Sequence, residues 1–367
     1  MAEMAPMPRS GEHGILPAHA IDRLVAEGAI IGDEPVAGQI QPASLDLRLG
    51  RTAYRVRASF LPGPQHRVGD RLAELALHEF DLSEGAVLET GCVYIVPLLE
   101  ALYLPDDLAA AANPKSSTGR LDIFTRVIAD RARAFDLIEE GYRGPLYAEI
   151  SPRTFPILVR TASRLSQIRF RRGSGRLSLE QTRALHAAQR LVDTDAPDVA
   201  DGIAVSVDLA GREGTIGYRA KRHTGVIDID RRGAYAVDDF WERIPARPDA
   251  TLILDPNEFY ILASKEAVHV PPDFAAEMVP FDPLVGEFRV HYAGFFDPGF
   301  GHAAAGGHGS RAVLEVRSRD VPFILEDGQT VGRLVYERLV ERPETLYGTT
   351  IGSHYQAQGL KLSKHFI

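Results

Sequence analysis

"VYIVPLLEALYLPDDLAA", residues 93 to 110, aligns without a gap on "FYILASKEAVHVPPDFAA", residues 259 to 276, at an offset of 166. Eight of the eighteen positions are identical: Tyr94/Tyr260, Ile95/Ile261, Glu100/Glu266, Ala101/Ala267, Pro105/Pro271, Asp107/Asp273, Ala109/Ala275 and Ala110/Ala276. Most of the others exchange one apolar residue for another. A fixed-period self-similarity of this quality marks an internal repeat, and every later assignment has to respect it.

The offset extends outward. It carries Glu149 in "GPLYAEISP" onto Glu315 in "SRAVLEVRS", and "PILVRTASRLSQIRFRR" matches "PFILEDGQTVGRLVYER" in apolar pattern. Each copy reads as short strands of period-two alternation punctuated by Pro, Gly and Asp turns. The expected fold is therefore mainly β, two β-barrel or jelly-roll repeats in tandem with a few short helices. One helix is expected in "AIDRLVAEGAI" near residue 20. A second is expected in "SLEQTRALHAAQRLV", where Ser178 and Gln181 form a capping box. The second lies between the copies, which divides the chain into a first repeat (1–173), a helical connector (174–198) and a second repeat (199–367). Neither GxxxxGK[ST] nor GxGxxG occurs, which argues against a doubly wound nucleotide fold.

The 367 residues carry 45% hydrophobic and 25% charged content, an ordinary globular mix. A formal net charge of −9 leaves no global basic field for a nucleic-acid polymer, so any phosphate must be gathered by a few placed cations. No stretch reaches the roughly 18 apolar residues of a membrane span, and the N-terminal stretch lacks a signal-like apolar core, so the expectation is a cytoplasmic protein. The single cysteine, Cys92, excludes an internal disulfide and any Cys-based zinc site. The histidines show no metal-binding spacing.

In "NPKSSTGRLDIF", residues 113 to 124, Lys115, Ser116, Ser117 and Arg120 stand in an otherwise apolar region, bracketed by Pro114 and Gly119. The run reads either as a solvated turn or as an anion cradle, with Ser hydroxyls, a charge and a planar fork of donors. At offset 166, Lys115, Ser116 and Ser117 fall on Phe281, Asp282 and Pro283, and Arg120 falls on Gly286. The second copy has lost the cradle. It keeps "VHYAGFFDPGFG", residues 290 to 301, where Ala293 and Gly294 would let a flat ring approach the backbone and Asp297, Pro298 and Gly299 make a tight turn. The final stretch "LYGTTIGSHYQAQGLKLSKHF" reads either as a frayed terminus or as a lid that brings His354, Lys361 or Lys364 to phosphates.

"QPASLDLRLG" at 41 to 50, "KSSTGRL" at 115 to 121, "AGFFDPGFG" at 293 to 301 and the Tyr347 to Gly359 segment together resemble the dCTP deaminase family of the dUTPase-like superfamily, in a tandem form. That resemblance implies a β-barrel trimer that converts dCTP to dUTP and ammonia without zinc, with Mg²⁺ accompanying the triphosphate. It implies that Lys115, Ser116 and Ser117 hold phosphates, and that Arg120 positions the catalytic water and glutamate. Ala293 would read the pyrimidine through its backbone, and Tyr347, His354 and Gln358 would close over the phosphates. Lys115 replaces the usual Arg and His354 the usual Lys. Family sites lie between subunits, so a site shared by the two halves is implied, along with a homo-oligomer such as a trimer of tandem chains.

Water can deaminate the ring if one buried carboxyl activates it, protonates the ring nitrogen and supplies a proton to the departing amine. Zinc deaminases use an HxE and PCxxC signature that a chain with one cysteine cannot provide. Two glutamates compete for the role: Glu315, beside the intact base loop, is favoured over Glu149, on the copy with the cradle. The bland reading of either is a strand carboxylate paired with Arg317 or Arg153. The rival functions are a dUTP pyrophosphatase using Asp297 or Asp136, a bifunctional deaminase and pyrophosphatase, and a nucleotide-binding regulator without turnover.

Overall fold

The computed structural model describes residues 13–211, 214–280, 288–291, 294–318, 320–348 and 359–367, the side chains of 280 and 288–291 excepted. Ala293, His354 and Gln358 lie outside the described residues.

Strand Val93–Tyr103 runs antiparallel to Arg143–Pro152, which sets Glu149 opposite Ile95. Strand Phe259–Val268 runs antiparallel to Ser310–Ser318, which sets Glu315 opposite Ile261. Both members of the second pair are 166 residues beyond those of the first, so the sequence repeat is a structural one down to the register. The second sheets agree: Phe170 faces Ala110 where Leu108–Pro114 pairs with Ser166–Arg172, and Tyr336 faces Ala276 where Phe274–Pro280 pairs with Thr330–Arg338. A smaller ladder repeats as well, Ile157–Val159 with Ala86–Leu88 and Phe323–Glu326 with Thr251–Leu254.

Alternation explains the layering. In Arg143–Pro152 the side chains of Leu146, Ala148 and Ile150 are buried, and they meet Ala110, Ala112, Ile168 and Phe170 from the other sheet in one core. A strand that shows one apolar face has to bury it against another sheet, and two such sheets facing each other give the barrel. The second repeat has its own core around Tyr260, Leu262, Phe274, Leu314 and Tyr336.

The repeats are not independent beads. Ile227, Phe240, Trp241 and Phe259 of the second half, and Leu362 near the end of the chain, belong to the core of the first. Phe155 meets Trp241 edge-on at 5.5 Å between ring centroids, and Phe366 packs on Phe240 at 5.5 Å. Truncating aromatic side chains of this kind costs about 3–5 kcal/mol each, so the mutual orientation of the two barrels is strongly held.

Both expected helices are present. Ala18–Ala26 buries Ala20, Ile21 and Leu24 along one stripe. Leu179–Gln189 starts at Ser178, whose hydroxyl accepts from Gln181 N–H while the Gln181 side chain accepts from Ser178 N–H. Among the described residues no helix is long and apolar enough to cross a membrane.

Candidate active site between the repeats

The polar run of the first repeat is one helical turn, Ser116–Gly119, rather than an irregular loop, with Lys115 as its N-terminal cap and Arg120 closing it. Pro114 ends the preceding strand, and the N–H groups of Thr118 and Gly119 both return to Lys115 O, which rounds the chain tightly. Leu165 O holds the turn against the neighbouring strand by accepting from Lys115 N–H at 2.9 Å and from the Thr118 hydroxyl at 2.8 Å. Ser116 is exposed and Ser117 buried. Lys115 Nζ donates to Asp46, a carboxylate only 1% exposed that also lies 3.4 Å from Arg164.

Arg120 is buried, and its neighbour in charge is Glu315 of the second repeat. Burial pushes the Glu315 carboxyl up to about 8, with the Arg120 guanidinium pulling in the opposite direction. Arg120 also donates to Lys361 O at 2.9 Å, which ties it to the chain's last segment.

Glu149 has another environment. Arg126, directly across the strand ladder, donates to its Oε1 through both Nε at 3.1 Å and Nη2 at 2.5 Å, and the guanidinium stacks on Phe135 at 3.4 Å from the ring centroid. Its partner is thus Arg126 and not Arg153. Glu315 does not pair with Arg317 either, because Arg317 crosses to Asp122 of the first repeat. Asp136 lies beside the Arg126–Glu149 pair, pushed up to about 7 by burial and accepting from Val127 N–H at 2.7 Å.

The Asp297–Pro298–Gly299 turn is held by a residue that sequence reasoning missed. Arg169, on a first-repeat strand and 3% exposed, reaches across to donate to Asp297 Oδ1 at 3.2 Å, Phe296 O at 3.4 Å and Ala276 O at 3.2 Å. Its guanidinium also lies 4.1 Å from the centre of the Phe295 ring. Burial raises the Asp297 pKa, which Arg169 and the more distant Lys115 oppose and Asp46 reinforces, so this turn lies within electrostatic reach of the first repeat's cradle. Tyr347 sits on the same turn, its N–H on Pro298 O at 2.8 Å and its ring 5.7 Å from Phe300. Within "SQIRFRR" Arg169 looks like one solvated charge among three, and no local signal marks it as the one that crosses.

The end of the chain is packed rather than frayed. Ser363 Oγ donates to Ser117 O at 2.9 Å, and His365 Nε2 lies 2.8 Å from Ile229 O. Both residues are 2% exposed, and burial pushes His365 down to about 4, so its ring is neutral at pH 7. Of the residues expected at the site, Lys115, Ser116, Ser117, Arg120, Asp297, Glu315 and Tyr347 are gathered by the structure at the junction of the repeats. Glu149 is not. Among the described residues no group of three or more His, Cys, Asp or Glu could hold a metal ion.

Comparison with known proteins identifies the family. Residues 12–174 match the 2'-deoxycytidine 5'-triphosphate deaminase N-terminal domain family and residues 178–366 its C-terminal domain family. A crystal structure of 2'-deoxycytidine 5'-triphosphate deaminase from Agrobacterium tumefaciens is 64% identical, with a TM-score of 0.86 over 90% of this chain and 100% of that one. The dCTP deaminase of Halorubrum lacusprofundi is 31% identical over 160 residues, 42% of this chain and 74% of its own length. A Beutenbergia cavernae protein named "dCTP deaminase, dUMP-forming" is 33% identical over 114 residues, 30% of this chain and 56% of that protein.

Proposed function

The chain belongs to the 2'-deoxycytidine 5'-triphosphate deaminase family and its reaction is the deamination of dCTP, and we propose that it runs at one composite site per chain, with Glu315 as the catalytic carboxyl. The observation that supports this reading is the burial of the Glu315 carboxyl of the second repeat within electrostatic reach of the Arg120 guanidinium of the first. The turn that carries Arg120 and the strand that carries Glu315 belong to one polypeptide.

Glu315, pushed up to about 8, holds its proton at neutral pH and can give it to N3 of the cytosine ring. The resulting carboxylate, beside Arg120, takes a proton from the water that adds to C4. It returns that proton to the amino group, which leaves as ammonia, and the remaining hydroxyl proton comes back to the carboxylate as the C4 carbonyl forms. Glu315 ends as it began. Lys115, Ser116 and Ser117 bind the phosphates, the turn at Asp297 and the adjoining Ala293 face the base and sugar, and Tyr347 with His354 and Gln358 closes the site.

Mg²⁺ fits as an ion carried by the phosphate oxygens, where it shields their charge. The nearby carboxylates are already engaged, Asp46 by Lys115 and Arg164 and Asp297 by Arg169, so they make no resident cage. The same engagement of Asp297 favours dUTP over dUMP as the product, because a carboxylate tied to Arg169 is poorly placed to activate a second water. Ammonia release from dCTP by the wild type, Glu315→Gln and Glu149→Gln, with dUTP and dUMP separated, tests the whole reading. Loss of turnover in Glu315→Gln alone, with nucleotide still bound, is expected. A dead Glu149→Gln beside an active Glu315→Gln overturns it.

A further inference from the structure

The first repeat has its own counterpart of the Glu315 position, and a side chain of the protein already sits against it. Glu149 stands across the strand ladder from Ile95 and Arg126, as Glu315 stands across from Ile261 and His291. The neighbouring loops correspond as well. Ala112 N–H donates to Asp136 O at 2.8 Å and Leu104 N–H to Tyr142 O at 2.9 Å. At an offset of 166 from these donors, Met278 N–H donates to Gly294 O at 3.2 Å and Val270 N–H to Phe300 O at 2.8 Å. Asp136 therefore takes the place of Gly294, and Phe135 that of Ala293. Where the second repeat has two small residues ahead of its Asp297 turn, the first has a ring and a carboxyl.

Arg126 completes the exchange. Its guanidinium lies 3.4 Å from the centre of the Phe135 ring and 4.6 Å from that of Phe124. It donates to Glu149 Oε1 at 3.1 and 2.5 Å and to Ser59 Oγ at 2.9 Å. A flat cation laid on a ring and hydrogen-bonded to a carboxylate has the shape and the donors of a protonated aminopyrimidine, whose ring N–H and amino N–H lie side by side. The match stops short at one atom. Both N–H groups converge on Oε1, while Oε2 is buried without a hydrogen-bond partner. A guanidinium tethered to the adjoining strand uses one oxygen, whereas an unattached planar cation with two parallel donors can engage both. The segment 57–75 packs over the same loop. Val68 N–H donates to Asp130 Oδ1 at 2.8 Å and Gly63 N–H to Ala132 O at 3.1 Å, and Phe60, Val68 and Leu72 share a cluster with Phe135.

We propose that Arg126 is a built-in occupant of the first repeat's counterpart of the base pocket, and that this pocket takes a planar cation with two adjacent N–H donors once the side chain is shortened. Its ligand class carries no phosphate. The repeat relates Lys115, Ser116 and Ser117 to Phe281, Asp282 and Pro283, so the second copy offers no cation to match such a ligand's phosphates. Naming the place a base pocket rests on the deaminase reading of Glu315 and Ala293, while the cation site itself rests on Arg126 and Glu149.

The test measures Tm for the wild type, Arg126→Ala, and Arg126→Ala combined with Glu149→Gln. Each is heated at mildly acidic pH in methylguanidinium or 2-aminopyridinium chloride, against sodium chloride at equal concentration. Arg126→Ala is expected to gain roughly 2–4 °C at a tenfold excess of either cation over its Kd, and the other two proteins to gain nothing. Should Arg126→Ala not fold unaided, its recovery from urea is expected to need one of the two cations, and recovery that neither improves counts against the site. A gain of the same size in the wild type, a gain that survives Glu149→Gln, or no gain from either cation overturns the proposal. A gain from methylguanidinium alone overturns the assignment of ring shape to the pocket. Ammonia release from dCTP by the wild type is a separate arm: its absence sinks the deaminase reading, and the Tm series still decides the Arg126 site.

Discussion

Arg317, two residues beyond Glu315, donates through Nη2 to the buried carboxylate of Asp122, two residues beyond Arg120. The electrostatic contact of Arg120 with Glu315 is thus accompanied by an ion pair two residues further along each segment, with the charges exchanged between repeats. Thr154 Oγ1 completes the group, donating to Asp122 Oδ2 at 2.6 Å and accepting from Arg317 Nη2 at 3.1 Å. Asp122 adopts φ +54°, a left-handed conformation that Asp tolerates, and this turns its carboxylate out of the strand that follows.

Arg317→Met is expected to cost about 3–5 kcal/mol, because it leaves a buried carboxylate without its cation. Urea unfolding checks this. The double variant Arg317→Met with Asp122→Asn should recover more than half of that loss, since no uncompensated charge remains. Full additivity would show that the two side chains do not act as a pair.

As the proposed catalytic carboxyl, Glu315 would give the reaction a pH limit on the alkaline side. Its proton is held up to about 8, so kcat/KM should be level below that and fall about tenfold per pH unit above it. A pH–rate profile reads this directly, and a limb at the ordinary glutamate value would contradict the proton's starting position.

The same carboxyl costs stability as pH rises. The folded state keeps the proton up to about 8 while the unfolded chain releases it at the ordinary glutamate value, so the folded state loses ground between those two pH values. Glu315→Gln has no such loss. At pH 8 the variant should be more stable than the wild type by roughly 2–4 kcal/mol, with the difference closing towards pH 5. Thermal unfolding at the two pH values checks it.

Arg169→Lys keeps a positive charge near Asp297 but loses the fork that reaches Phe296 O and Ala276 O. The turn facing the base would then be misplaced, and kcat/KM for dCTP is expected to fall about 10²-fold, the scale of a positioning defect. Far-UV circular dichroism should be unchanged.

Arg126→Met should separate structure from chemistry. It strips the cation from buried Glu149 and is expected to destabilise the protein by about 3–5 kcal/mol. The folded fraction should turn over dCTP at the wild-type rate, and adding Glu149→Gln should restore most of the stability.

Much of this was legible in the residues themselves. An offset of 166 that preserves Tyr94, Ile95 and Glu100 also predicts the strand register, because period-two alternation leaves only one way to bury each face. The capping box at Ser178 is equally local, since capping needs particular atoms at particular spacings. Arg169 was not legible: a long charged side chain has the same sequence signature whether it points to water or crosses to another barrel.

What the sequence determined alone was a pair of β repeats at an offset of 166, with different residues at equivalent positions in the two copies. It favoured Glu315 over Glu149 only modestly, for both stand on equivalent strands at the same register. The tertiary structure gives the two different surroundings. The aromatic packing of Phe155, Trp241 and Phe366 joins the two barrels, Glu315 is buried within electrostatic reach of Arg120, and Glu149 is paired with Arg126. Contacts between residues some two hundred positions apart are decided by how two cores dock, and no local pattern encodes that.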